Sequence, residues 1–121
     1  MARLWLRVQL DGAGALGPGK IELLEAIDRT GSISAAGRDL GMSYRRAWLL
    51  VDELNRLFRE KVVIATMGGT RGGGTALSDF GRDLIAQFRA IEDEANQAVR
   101  RRLAVIEEAQ ADASVITDAA S

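Results

Sequence analysis

Residues 31–58 read GSISAAGRDLGMSYRRAWLLVDELNRLF. Ser32 is a good N-cap type, and a short helix is expected to start after it and run through Ala35, Ala36 and Leu40. Gly41 stands where the chain must leave that helix through positive φ. Ser43 caps a second helix, whose apolar residues Ala47, Leu50, Val51, Leu54 and Phe58 recur at the spacing of one buried face. Two helices joined by a tight Gly-containing turn are the helix-turn-helix pattern. The second helix opens with Ser43, Tyr44, Arg45 and Arg46, and the first residues of a recognition helix are those that reach base edges in the major groove. Ala35, Ala36 and Gly37 fit a close approach between helices, since larger side chains would hold them apart. Gly37 costs roughly 1 kcal/mol of helix propensity relative to Ala. An ordinary helical hairpin without a ligand is the other reading of this stretch.

Working outward, residues 3–10 (RLWLRVQL) alternate Leu4, Leu6, Val8 and Leu10 with Arg3, Trp5, Arg7 and Gln9, which predicts a strand with one buried face. Trp5 falls on the other face, as a loosely packed aromatic or a cover for a neighbour. Gly12 to Gly19 reads as a loop, and Pro18 suits the first turn of the next helix. Ile21, Leu23, Leu24 and Ile27 give that helix a core-facing stripe, ending near Thr30–Gly31. Three helices in this order make a trihelical core.

Downstream, Val62 to Met67 is apolar and β-branched and predicts a strand. GGTRGGG (68–74) and then TALS follow, so a strand, a tip and a returning segment form a hairpin. A hairpin directly after a recognition helix reads as the wing of a winged helix, with Arg71 alone at the centre of its tip. A phosphate-cradling P-loop would need Lys and then Ser or Thr after the last Gly, and Gly74 is followed by Thr75 and Ala76. A plain turn without contacts is the third reading. Ser78 is expected to cap the last helix, about 78–108. Its apolar positions Leu84, Phe88, Ile91, Ala95, Val99, Leu103 and Ile106 extend over roughly seven turns. A stripe this long either folds back over its own domain or buries its excess against a partner helix, and the second is preferred. The tail 109–121 is small and polar and reads as frayed or disordered.

The chain has 121 residues, which suits one domain with an extension, placed here at 1–108. Its net charge of −1 conceals a modest asymmetry. Residues 1–28 hold three basic and four acidic residues, residues 29–82 nine and five, and residues 83–121 four and eight. The basic excess coincides with the helix-turn-helix and the hairpin, which is what phosphate contact requires. The chain has no Cys and no His, so thiol and imidazole chemistry is absent and no metal site is expected. Asp52–Glu53 and Glu107–Glu108 are sequence neighbours on helices, so they point apart and read as solvated faces. No catalytic residue, cofactor or enzymatic activity is expected. No apolar run of about 18 residues exists and no signal peptide is visible, so no membrane association and a cytoplasmic setting are expected.

The run GSISAAGRDLGMSYRRAWLLVDELN, the GGTRGGG segment and the following LSDFGRDLI resemble the N-terminal DNA-binding domain of ModE-type molybdate-responsive transcriptional regulators. RLWLRVQL and GKIELLEAI fit as well, so the resemblance covers roughly residues 3–100. The helix-turn-helix alone also resembles the more distant LysR-type regulators. The resemblance implies a mainly α winged helix-turn-helix with a small β component: an N-terminal strand, a β-hairpin wing and a long C-terminal dimerisation helix. It implies a homodimer on palindromic double-stranded DNA. The DNA-binding positions it implies are Ser43, Tyr44, Arg45 and Arg46 on the recognition helix and Thr70, Arg71, Gly72 and Gly73 on the wing. The dimer interface is assigned to Leu84, Phe88, Ile91, Ala95 and Val99. Trp48 matches the family too but flanks the buried face on the helical wheel, so it reads as packing first. In the family a separate C-terminal portion built of oxyanion-binding repeats senses molybdate. This chain holds nothing like those repeats, so no molybdate binding is expected from it alone. A winged helix that contacts a protein, or one that binds RNA, is the alternative.

Overall fold

Three serines start three helices. Ser32 Oγ accepts from Ala35 N at 3.1 Å, Ser43 Oγ from Arg46 N at 3.1 Å, and Ser78 Oγ from Gly81 N at 2.9 Å. Each bond satisfies one of the donors that a helix start leaves without a partner. The helices are α2 (Ile33–Asp39), α3 (Tyr44–Leu57) and α4 (Asp79–Ala98). α1 (Pro18–Thr30) starts on its proline instead. Gly31 (φ 71°) and Gly41 (φ 70°) make the left-handed turns out of α1 and α2. The computed structural model describes residues 1–12, 14–67 and 74–112.

The core is built around α1. Ile21, Leu23, Leu24, Ala26 and Ile27 are fully buried there against Ile33 and Ala36 of α2 and Ala47, Val51 and Leu54 of α3. Each fully buried Leu or Ile stabilises the fold by about 1.5–3 kcal/mol relative to leaving it in water. Gly37 sits where a Cβ would lie 3.1 Å from Ala47 Cβ, so the small residues of α2 do allow the helix-turn-helix to close. Val62, Val63, Leu77 and Phe88 complete the core from the downstream side. Arg89 of α4 is held by Glu25 of α1 (2.7 Å) and by Glu92 (2.7 Å). Donating hydrogen bonds to Glu25 first, then to Glu92, pushes its guanidinium further into the charged form.

The hairpin expected after α3 is present. β3 (Val63–Thr66) pairs antiparallel with β4 (Gly74–Leu77), Val63 opposite Leu77 and Thr66 opposite Gly74. Thr75 N donates to Gly31 O at 3.0 Å and ties the hairpin to the α1–α2 junction. The fold is therefore mainly α with a small β component, a winged helix with its β-hairpin.

Three elements differ from the sequence expectation. The strand expected over 3–10 pairs only at β1 (Val8–Leu10), against β2 (Gly14–Leu16) inside the supposed loop. Gly-Ala-Leu has no β-branched residue and gives no strand signal. The alternation in residues 3–10 persists, with Arg3, Trp5, Arg7 and Gln9 exposed and the leucines and Val8 half-buried. Residues 1–7 lie along the C-terminal helices instead of a strand: Leu4 N donates to Asn96 Oδ1 (2.7 Å) and Ala2 N to Glu107 Oε2 (2.8 Å). The long last helix is interrupted at Val99 (φ −111°, ψ 14°), giving α4 and α5 (Arg100–Glu108). Val99 is β-branched, and Arg100, Arg101 and Arg102 crowd three positive charges into the first turn after it, beside the positive end of a helix. Phe58 leaves the stripe of α3 and meets Phe80 edge-on, ring centroids 5.4 Å apart.

Candidate nucleic-acid interface

α3 buries Ala47, Val51 and Leu54 and turns the opposite face outward. Ser43, Tyr44, Arg45 and Arg46 are all exposed at its start. Several other arginines are tied to acids: Arg56 to Asp52 (2.8 Å), Arg29 to Asp39 (3.3 Å), Arg82 to Asp28 (3.6 Å). Arg45 and Arg46 make no ion pair among the described residues. Two free guanidiniums thus stand beside the positive end of a helix, the electrostatic form of an anion-binding surface.

Trp48 departs from the packing role expected of it. It is 47 % exposed and lies on the outer face with Tyr44 and Leu49, also exposed. The wheel puts Trp48 at the margin of the buried stripe, and only the positions of α1 and α2 decide on which side of that margin it falls. The outer face of α3 is therefore cationic at its start and apolar one turn later.

Arg46 also faces a cleft of about 230 Å³ that it shares with Arg7, Gly17, Gly19, Lys20 and Met42. Lys20 Nζ is occupied by Glu53 Oε1 (2.9 Å) and Ala15 O (2.6 Å). Arg7, like Arg46, has no such partner among the described residues. The start of α1 opens into the same cleft. Arg7 is a site residue that sequence reasoning passed over. Its position on the outer face of a period-two strand was readable, but its distance of 39 residues from Arg46 was not bridged by any motif.

Asn55 was missed as well. Its Oδ1 accepts from Val62 N (2.8 Å) and Val63 N (3.0 Å), and its Nδ2 donates to Val63 O (3.0 Å). One side chain of α3 thereby fixes the root of the hairpin to the helix. The wing positions Thr70, Arg71, Gly72 and Gly73 lie outside the described residues.

The apolar stripe of α4 divides. Phe88 is 1 % exposed, and Leu84 packs half-buried against the same core. These two belong to the domain's own interior, which corrects the assignment of Phe88 as an interface residue. Ile91 is 45 % exposed, with Ala95 and Val99 half-buried beyond it. Trp5 is exposed, with the Arg3 guanidinium 5.1 Å from its ring centre. Among the described residues no helix is long and apolar enough to cross a membrane, and no cluster of acids could hold a metal ion.

No family model matches the chain. It is 42 % identical over 96 residues to the molybdenum transport protein ModE of Azotobacter vinelandii, covering 79 % of this chain and 36 % of that protein. It is 49 % identical over 86 residues to the molybdenum-pterin-binding protein MopB of Rhodobacter capsulatus, covering 70 % and 32 %. It is 37 % identical over 87 residues to the DNA-binding transcriptional dual regulator ModE of Escherichia coli (strain K12), covering 72 % and 33 %. The chain spans about a third of the length of these curated relatives. The matches support a relationship to ModE and the Mop proteins.

Proposed function

We propose that this chain is the DNA-contacting part of a ModE-like transcriptional regulator, which binds a palindromic duplex operator as a homodimer and acts in molybdenum-related gene control. The observation that carries the reading is the outer face of α3, where Arg45 and Arg46 stand unpaired at a capped helix start beside exposed Tyr44, Trp48 and Leu49. Arginine at the start of a recognition helix suits a guanine edge or a phosphate, and apolar groups suit the thymine methyl. Names of relatives that include a DNA-binding regulator agree with it. In this reading residues 70–73 add a contact from the wing, and Ile91, Ala95 and Val99 join two copies. The test is selection of bound fragments from a random duplex library. A two-fold consensus is expected, while preference for single-stranded RNA, or binding insensitive to salt, overturns it in favour of the RNA or protein-binding alternatives.

Two substitutions divide the labour within this face. Arg45 points away from the core, so Arg45→Ala is expected to weaken specific binding by roughly 1–3 kcal/mol with the melting temperature unchanged. Unaltered affinity in an anisotropy titration sinks this assignment. Arg7 and Arg46 flank the start of α1, and a phosphate seated there would meet two guanidiniums and a helix N-terminus. Arg7→Ala is therefore expected to lower affinity equally for all duplex sequences and to flatten the salt dependence by about one phosphate contact. A change in sequence preference instead of slope would assign Arg7 to base reading. The proposal assigns no molybdate site to this chain. A saturable calorimetric isotherm with molybdate, near one per subunit, would overturn that part.

A further inference from the structure

Gly74 is a glycine for a steric reason. Among the described residues positive φ occurs at Gly12, Gly14, Gly31 and Gly41, so the backbone conformation at Gly74 does not call for glycine. It lies in β4, and glycine weakens a strand by leaving nothing to pack. Its use inside a strand marks a place where another backbone comes close. A Cβ at Gly74 would stand 2.9 Å from Gly31 O and 3.4 Å from Thr66 Oγ1. Gly31 O belongs to the backbone and cannot swing aside as the end of a long side chain can. The same carbonyl accepts the Thr75 amide at 3.0 Å, so two successive residues of β4 rest on one oxygen.

That oxygen is a fixed point. Gly31 closes α1, its own amide donating to Ile27 O at 2.8 Å, and Ser32 beside it caps α2. α2 is the first helix of the helix-turn-helix, so β4 is seated on the unit that carries α3. The other strand is seated on α3 itself, through Asn55. Gly74 also stands opposite Thr66, the pair of the ladder nearest residues 68–73, and donates its amide to Thr66 Oγ1 at 3.1 Å. A strand that shifts at this pair re-aims whatever the hairpin carries beyond it. The buried pair, Val63 opposite Leu77, lies at the other end of the ladder, so such a shift leaves the core in place.

We infer that Gly74 is a positioning residue for the DNA contact of the wing: its missing side chain lets β4 rest on the Gly31 carbonyl, and that rest sets the angle of the hairpin to α3. The inference rests on the DNA-binding reading above and names what aims the wing within it. Alanine at this position must displace the strand, because the carbonyl it meets is held between two helix ends.

The test compares the parent, Gly74→Ala, Arg71→Ala and the double variant, by anisotropy titration of the selected duplex and by amide exchange without DNA. Gly74→Ala is expected to open the Thr75 amide to exchange while the amides of α1 stay protected. Its affinity for the duplex should fall by about tenfold, and most of that loss should be absent in the Arg71→Ala background, since two changes that act through one contact do not add. Parental affinity in Gly74→Ala, or losses that add in the double variant, overturns the inference and leaves the DNA-binding reading standing. Loss of protection throughout α1 also overturns it, because the contact then supports the core and not the aim of the wing. A parent that selects no duplex site overturns the DNA-binding reading, and the inference with it.

Discussion

Phe88→Asp is expected to unfold this domain, whereas Ile91→Asp, one turn further along the same helix, is expected to leave it folded and to separate two copies. Phe88 is 1 % exposed, inside a cluster with Ile21, Leu24 and Leu77. Removing its ring costs about 3–5 kcal/mol, and a carboxylate left there has no cation to meet. Burying an unpaired charge adds several kcal/mol more or forces it to take up a proton. A domain of this size has roughly 5–15 kcal/mol in total, so the two terms consume most of it. Ile91 is 45 % exposed in the single chain, and Asp there meets water until a partner covers it. Thermal melting followed by circular dichroism should show a lost or far lower transition for Phe88→Asp and a near-parental one for Ile91→Asp. Sedimentation should then find Ile91→Asp monomeric. A cooperative, unshifted melt for Phe88→Asp would contradict the core placement.

From sequence alone these two residues are equivalent members of one stripe. Periodicity reports which side of a helix is apolar, but where the stripe passes from core to open surface depends on how far α1 reaches along α4. The same limit explains Trp48, at the margin of the α3 stripe. Signals confined to a few consecutive residues were legible: the three serine caps, the helix end at Gly31, the left-handed Gly41, Pro18 at a helix start, and the close approach at Gly37. β2 was not, because three small residues pair through their backbone with β1 and carry no pattern of their own. The break at Val99 lies within an unbroken apolar period, and the period alone hides it.

The candidate interface divides in the same way. Arg45 and Arg46 are readable because the helix-turn-helix is local, and their position in it follows from Ser43. Arg7 joins them only because the backbone just before β1 runs beside Gly17 at the start of α1, and that is a tertiary fact. Asn55 reads as one polar residue at the margin of the buried stripe of an amphipathic helix. Its role depends on the chain doubling back after Phe58 so that two consecutive backbone amides reach its oxygen.

Asn55→Leu is accordingly expected to be among the most damaging changes outside the apolar core. The substitution keeps nearly the same volume but removes all three hydrogen bonds to Val62 and Val63. Val62 and Val63 are buried, so water does not readily replace the lost partner. A buried donor or acceptor left without a partner costs about 1–3 kcal/mol, and a total loss of roughly 3 kcal/mol follows if the groups relax in part. Asn55→Asp retains an acceptor for both amides and loses only the donor to Val63 O, so its loss should be smaller. The local readout is amide exchange: Val62 and Val63 should be protected in the parent and exchange rapidly in Asn55→Leu, ahead of the core of α1. If the hairpin serves as the wing, its orientation relative to α3 depends on this side chain, and operator affinity should fall even at temperatures where Asn55→Leu remains folded. A parental melting temperature together with parental protection at both valines would show that β3 is held in place by its pairing with β4 alone.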